Sequence, residues 1–208
     1  MAEEARPDPL ATPRKAALAV IIAAGKVLFL AAFLPAIDAC DETWVPARGF
    51  VEGDYTFMLP PHLVGLVAAV AGALFWRRWS ARMRVLEVGL VVLALLVTLA
   101  LGALFFFSVE GAGGPALGAL CLALVVSLFA RAQSGRWRAA RALVVLGLDC
   151  AIWYFFWLVA FSLGDGEDAV RVGTYVAAGA SVLLFAAARR LEGTVRRWRP
   201  RPVSQPQA

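Results

Sequence analysis

Histidine and cysteine are scarce in this chain. It has one histidine, His62, and three cysteines, Cys40, Cys121 and Cys150, none of them in a Cys-x-x-Cys pair. Tetrahedral zinc normally takes four Cys, His or carboxylate ligands, so a Cys/His site of that kind cannot be assembled. A single histidine also excludes a bis-histidine haem within the chain. Charge is sparse too: 17% of the residues are charged, against about 25% in an ordinary soluble domain. No Gly-x-Ser-x-Gly, His-Glu-x-x-His or phosphate-loop pattern occurs. Gly111-Ala112-Gly113-Gly114 offers too few donors and no lysine, and reads as a tight turn. No catalytic residue, cofactor or metal is assigned on these grounds.

What is abundant is apolar side chain. Of the 208 residues, 61% are hydrophobic, where about 45–50% is usual. They come in long blocks, more than one soluble core could bury. That pattern excludes a soluble enzyme, a disordered chain and a disulfide scaffold. About 20 helical residues cross a hydrocarbon core of about 30 Å, and backbone inside lipid must satisfy its own hydrogen bonds, which favours helices. The blocks predict an all-α, polytopic membrane bundle of six transmembrane helices over 16–37, 61–79, 86–108, 115–130, 142–163 and 169–188. Residues 1–15 are then an N-terminal segment and 189–208 a basic tail, whose end from Pro202 is expected to be disordered. The first block could be mistaken for a signal peptide ending at Ile37-Asp38-Ala39-Cys40. It is longer than the 7–15 residues of a typical signal core, and Lys26 interrupts it, so it is read as a membrane helix.

The formal net charge of +5 does not point to nucleic acid, because the basic residues lie in the short connections between blocks. Of 20 basic residues, 17 fall on one side of the threading. The opposite loops carry Asp38, Asp41, Glu42, Glu52, Asp54, Glu110, Asp165, Glu167 and Asp168. The positive-inside rule then places both termini in the cytoplasm. The alanine- and arginine-rich usage suggests a GC-rich bacterium and hence its inner membrane. Partners expected on this reading are the bilayer, anionic lipid headgroups contacted by Arg77, Arg78, Arg131, Arg136, Arg196 and Arg197, and another membrane protein or a second copy.

Shifted by 54 residues, the chain matches itself at Pro61/Pro115, Leu74-Phe75/Leu128-Phe129, Arg77/Arg131, Ser80/Ser134, Arg82/Arg136 and Arg84/Arg138. The match reads as an internal repeat in which the second and third helices form one hairpin and the fourth and fifth its duplicate.

Few residues are candidates for chemistry. Lys26 and Asp149 are charged, lie within predicted spans, and differ in depth by about 4–5 Å at the helical rise. Charges in a bilayer usually face the bundle and find partners, so the two are read as an intramembrane ion pair. His62 follows Pro60-Pro61 at the outer mouth of its helix, after five acidic residues; with Asp38, Asp41 and Asp54 it forms the outer-face candidate for a base or a ligand. Trp153, Tyr154, Phe155, Phe156 and Trp157, with Phe105-Phe106-Phe107, are read as lipid-facing bulk and interfacial belt. Gly114-x-x-x-Gly118 and Gly173-x-x-x-Ala177 permit close helix approach.

Phe33-Leu34-Pro35, Cys40, and Pro60-Pro61-x-Leu63 with Gly65 together resemble small bacterial membrane proteins. The resemblance covers a short stretch and implies no activity. The first functional reading is a non-enzymatic membrane subunit or scaffold. The second is a small transporter or channel using Lys26 and Asp149. The third is a membrane enzyme with an outer-face site around His62.

Overall fold

The computed structural model describes residues 11–39, 42–52, 59–77, 84–108, 126, 129, 134–162 and 169–197. Within these, α1 spans Ala11–Leu30 and tightens into a 3₁₀ turn at Ala31–Phe33. A short α2 follows at Pro46–Glu52. The remaining helices are α3 at Pro60–Arg77, α4 at Arg84–Ser108, α5 at Gly135–Ser162 and α6 at Val172–Arg197. The molecule is predominantly helical. Four helices, α1, α4, α5 and α6, are long and apolar enough to cross a membrane, and α3 is a shorter apolar helix. The predicted fourth span, 115–130, lies outside the described residues apart from Val126 and Phe129.

The exterior is apolar along the long helices. Val20 and Val27 on α1, Leu66 and Val70 on α3, and Val92 and Leu96 on α4 are all exposed. A soluble helix would put charge on that face. The interior is apolar as well, built around Leu18, Ile21, Leu28, Leu90, Leu143, Leu146 and Leu184. α5 is the central rod: from Ala142 to Gly147 every residue is buried, because α6, α4 and the start of α3 all pack on it. α1 sits between α3 and α6.

Two backbone approaches set this geometry. A Cβ at Gly25 would lie 2.6 Å from the Gly65 carbonyl oxygen, and one at Gly65 would lie 2.8 Å from that of Gly25. Only hydrogen at both positions lets α1 and α3 meet there. Gly147 plays the same part between α5 and α6, where a Cβ would come within 2.8 Å of the Phe185 backbone.

Among the described residues, α3 and α4 do not pack closely on one another as the hairpin read from the repeat would. α3 packs on α1, and α4 packs on α5. α4 and α5 run parallel, since Glu87 meets Arg138 and Thr98 meets Asp149. The chain between Ser108 and Gly135 therefore joins opposite ends of the bundle.

Several boundaries differ from expectation: α1 starts at Ala11 rather than Ala16, and α5 at Gly135 rather than Ala142. The first helix stops short of Ile37 because Pro35 follows it; Leu34 is already extended, at φ −97° and ψ 151°, as a residue before proline must be. The chain then forms strands, where none was expected: β1 at Ile37–Ala39, β2 at Glu42–Trp44 and β3 at Ala169–Val170, in the order β2-β1-β3 with antiparallel pairing. The last helix consequently starts at Val172 rather than Ala169. It also runs on to Arg197, so the beginning of the basic tail is helix. Its turn at Leu191 and Val195 is buried in the core, as are Ala139 and Ala140 at the early end of α5.

Candidate functional site

One set of buried polar side chains gathers around α5. His62, in the first turn of α3, is 2% exposed. Its Nδ1 lies 2.6 Å from the Leu28 carbonyl oxygen, and its Nε2 lies 2.8 Å from the Tyr154 hydroxyl. A carbonyl only accepts, so Nδ1 carries hydrogen. In the neutral ring Nε2 then accepts from the Tyr154 O–H. Leu28 is in the final turn of α1, where carbonyls run short of helical partners, so one imidazole ties together α1, α3 and α5. One turn earlier on the same face of α5, the Cys150 thiol points at the Pro61 carbonyl at 3.9 Å.

Asp149, beside Cys150, turns toward α4. It is 5% exposed, and its Oδ2 accepts a 2.7 Å bond from the Thr98 hydroxyl, which also lies 2.8 Å from the Ala94 carbonyl. Lys26 is on the exposed face of α1. The structure therefore does not bring Lys26 and Asp149 together: a threonine faces the aspartate, and the lysine points outward.

Of the outer-face group, the two described members, His62 and Asp38, are not brought together either. His62 is enclosed between helices, whereas Asp38 lies in β1, where Arg171 donates to Oδ2 and Thr43 donates to Oδ1 at 2.9 Å. Asp41 and Asp54 lie outside the described residues, as do Cys40 and Cys121. The Asp38 carboxyl is held below the ordinary aspartate value by the hydrogen bond from Arg171, with Thr43 adding to it. Arg171 is raised in turn by the same bond. These contacts belong to a cap that staples the start of α6 to the chain leaving α1. Arg171 N–H donates to the Ala36 carbonyl and Gly173 N–H to that of Pro35, each at 2.8 Å, and the Thr174 hydroxyl donates to Ala36 at 2.7 Å. Trp44 and Trp157 pack on Ala36 and Ile37 beneath the sheet.

At the other end, Glu192 of α6 is buried among basic residues. Its Oε1 accepts from Trp137 Nε1 at 3.1 Å and Arg141 Nε at 2.9 Å, while Oε2 accepts from Arg189 at 2.8 Å. The Arg141 guanidinium also stacks over the Trp137 ring. Nearby, Glu87 joins Arg138 across α4 and α5 at 2.7 Å. Of the expected headgroup arginines, Arg196 and Arg197 are exposed at the end of α6 and Arg136 is half-buried. Arg78 and Arg131 lie outside the described residues, and Arg77 closes α3.

Sequence reading missed Tyr154, Thr98, Glu192, Glu87 and Arg171 as structural partners. Glu192 had a signal, being the one acid among residues 189–208. Tyr154 and Trp153 are buried rather than lipid-facing, while Phe155 is exposed. Among the described residues no three His, Cys, Asp or Glu side chains gather into a metal-binding group. The grooves of about 320 and 380 Å³ open between helices and are lined almost entirely by apolar side chains. Comparison with known proteins finds no family model, no curated protein and no solved structure that matches this chain.

Proposed function

We propose that this chain is a multi-pass bacterial inner-membrane protein that acts as a non-enzymatic subunit or scaffold. On this reading it crosses the bilayer six times, with both termini in the cytoplasm and its arginine-bearing ends against anionic headgroups. The parallel packing of α4 on α5 supports six crossings, since the apolar stretch 115–130 lies between them.

One observation carries the scaffold reading. Each buried polar side chain of the described bundle, from His62 and Thr98 through Asp149 to Thr174, Ser181, Glu192 and Thr194, is hydrogen-bonded within the chain. Polar groups satisfied within the chain in this way favour a role in helix packing.

The transporter or channel reading keeps a single support, the burial of Asp149 beside the His62–Tyr154 pair. Proton flux separates the two. Proteoliposomes holding the purified chain and a pH-sensitive dye are expected to stay at background under an imposed gradient. Flux above background that Asp149→Asn abolishes would overturn the scaffold reading in favour of a relay.

A further inference from the structure

Lys26 has a position that internal packing does not account for. Among the described residues no hydrogen bond or ion pair engages it, and it is exposed on a helix face that is otherwise apolar, with Ala19, Val20, Ala23 and Val27 around it. Snorkelling does not relieve it. Helical side chains lean toward the helix N-terminus, and the apolar run begins at Ala16, ten residues away or about 15 Å, which is further than a lysine stem reaches. The nearer boundary, beyond Phe33, lies in the direction opposite to that lean. Two turns inward on the same stripe, Ala19 lines a groove of about 320 Å³ between α1 and α3, completed by Ile22, Ala73 and Trp76. Its alanines let another backbone come close.

Among the described residues no carboxylate supplies the countercharge. Asp149 is buried against Thr98, and Glu87 and Glu192 are paired at the arginine-bearing end. The stretch 115–130 contains no carboxylate. A second copy would bring the same residues, similarly engaged.

Resting on the membrane-subunit reading, we propose that a separate transmembrane helix with an aspartate or glutamate at mid-bilayer depth docks on this face. Its carboxylate pairs with Lys26 and its apolar flank fills the α1–α3 groove. The test uses the full chain in phosphatidylcholine vesicles, donor-labelled, with an acceptor-labelled synthetic transmembrane peptide of leucine and alanine carrying one central aspartate. Energy transfer is expected to show this peptide binding about tenfold more tightly than its all-apolar counterpart. Lys26→Met should erase the preference and Lys26→Arg should keep it. Equal binding of the two peptides, or a preference that survives Lys26→Met, overturns the proposal. So does transfer between two labelled copies that Lys26→Met abolishes, which would seat a second copy there. Labelling of Lys26→Cys by a membrane-impermeant maleimide overturns it as well, by placing the position in water. Release of the chain from vesicles by alkaline carbonate would instead remove the membrane reading itself, and the docking proposal with it.

Discussion

At the scale of single residues, carboxylates do the joining, and each does so through its surroundings. Glu192 binds three donors while only 7% of its side chain is exposed, and its partner Arg141 is 11% exposed. Removing one member of such a buried pair strands the other charge, at a cost of roughly 3–5 kcal/mol. Glu192→Ala should therefore lower the melting temperature in detergent sharply, and Glu192→Gln, which still accepts hydrogen bonds, should do so less. Asp149 and Thr98 call for a double-mutant cycle. Interhelical hydrogen bonds in membrane bundles couple by about 0.6 kcal/mol and at most about 1.7. Asp149→Asn and Thr98→Val, singly and together, should give a coupling in that range by unfolding in detergent; strict additivity would mean that the hydroxyl and the carboxylate do not interact. The sequence exposed Asp149 as chemically unusual but not its partner, and it did not single out Glu192. Threonine and tyrosine are too common in apolar helices to stand out, and a lysine at similar depth looks like the better electrostatic match for Asp149 until helix rotation is known.

Between elements, the closest approaches are made by glycines. Gly25 and Gly65 face one another with no room for a methyl group, and overpacking typically costs about 1–3 kcal/mol. Gly65→Ala should separate α1 from α3 and destabilise the protein by about that amount. Gly89→Ala is the control: a Cβ there meets nothing within 4 Å, and alanine in a helix is favoured over glycine by roughly 0.5–1 kcal/mol. Equal effects of the two substitutions on thermal unfolding would mean the contact does not set the helix spacing. The cap around Asp38 makes a prediction in pH. Asp38 titrates below the ordinary aspartate value of 3.8 because Arg171 and then Thr43 bond its carboxylate. A depressed value contributes stability above the unfolded pKa and loses it as pH falls through the folded one. The cap should thus be insensitive to pH from neutrality down to about 4 and loosen below that. Amide exchange at Arg171 and Gly173, whose N–H groups reach back to Ala36 and Pro35, reads this directly. Arg171→Met should bring the Asp38 titration up to the ordinary value.

For the molecule as a whole, the apolar blocks located the long helices, because a hydrophobic run of spanning length has few other uses. The ends were less legible. Pro35 stopping α1 was a local signal, but β1 pairing with β3 joins positions more than 130 apart, which periodicity within one segment cannot reveal. The order of helices around α5 was equally hidden, since exposed and buried side chains are equally apolar and leave little amphipathic bias to read. Charge placement is the feature that does scale to the entire chain. The starts of α4 and α5 and the end of α6 meet at one end through Glu87–Arg138 and Glu192–Arg141, and the acidic cap lies at the other. If the arginine-bearing end faces the cytoplasm, two exposed apolar positions report it without disturbing a charge: Val85 at the start of α4, 87% exposed, and Val51 in α2, 83% exposed. In a background with the three native cysteines replaced by alanine, Val51→Cys should react with an impermeant maleimide in cells whose inner membrane is intact. Val85→Cys should react only after that membrane is opened. The opposite pattern would invert the orientation, and labelling of both in intact cells would mean that the two ends of the bundle are not separated by a bilayer.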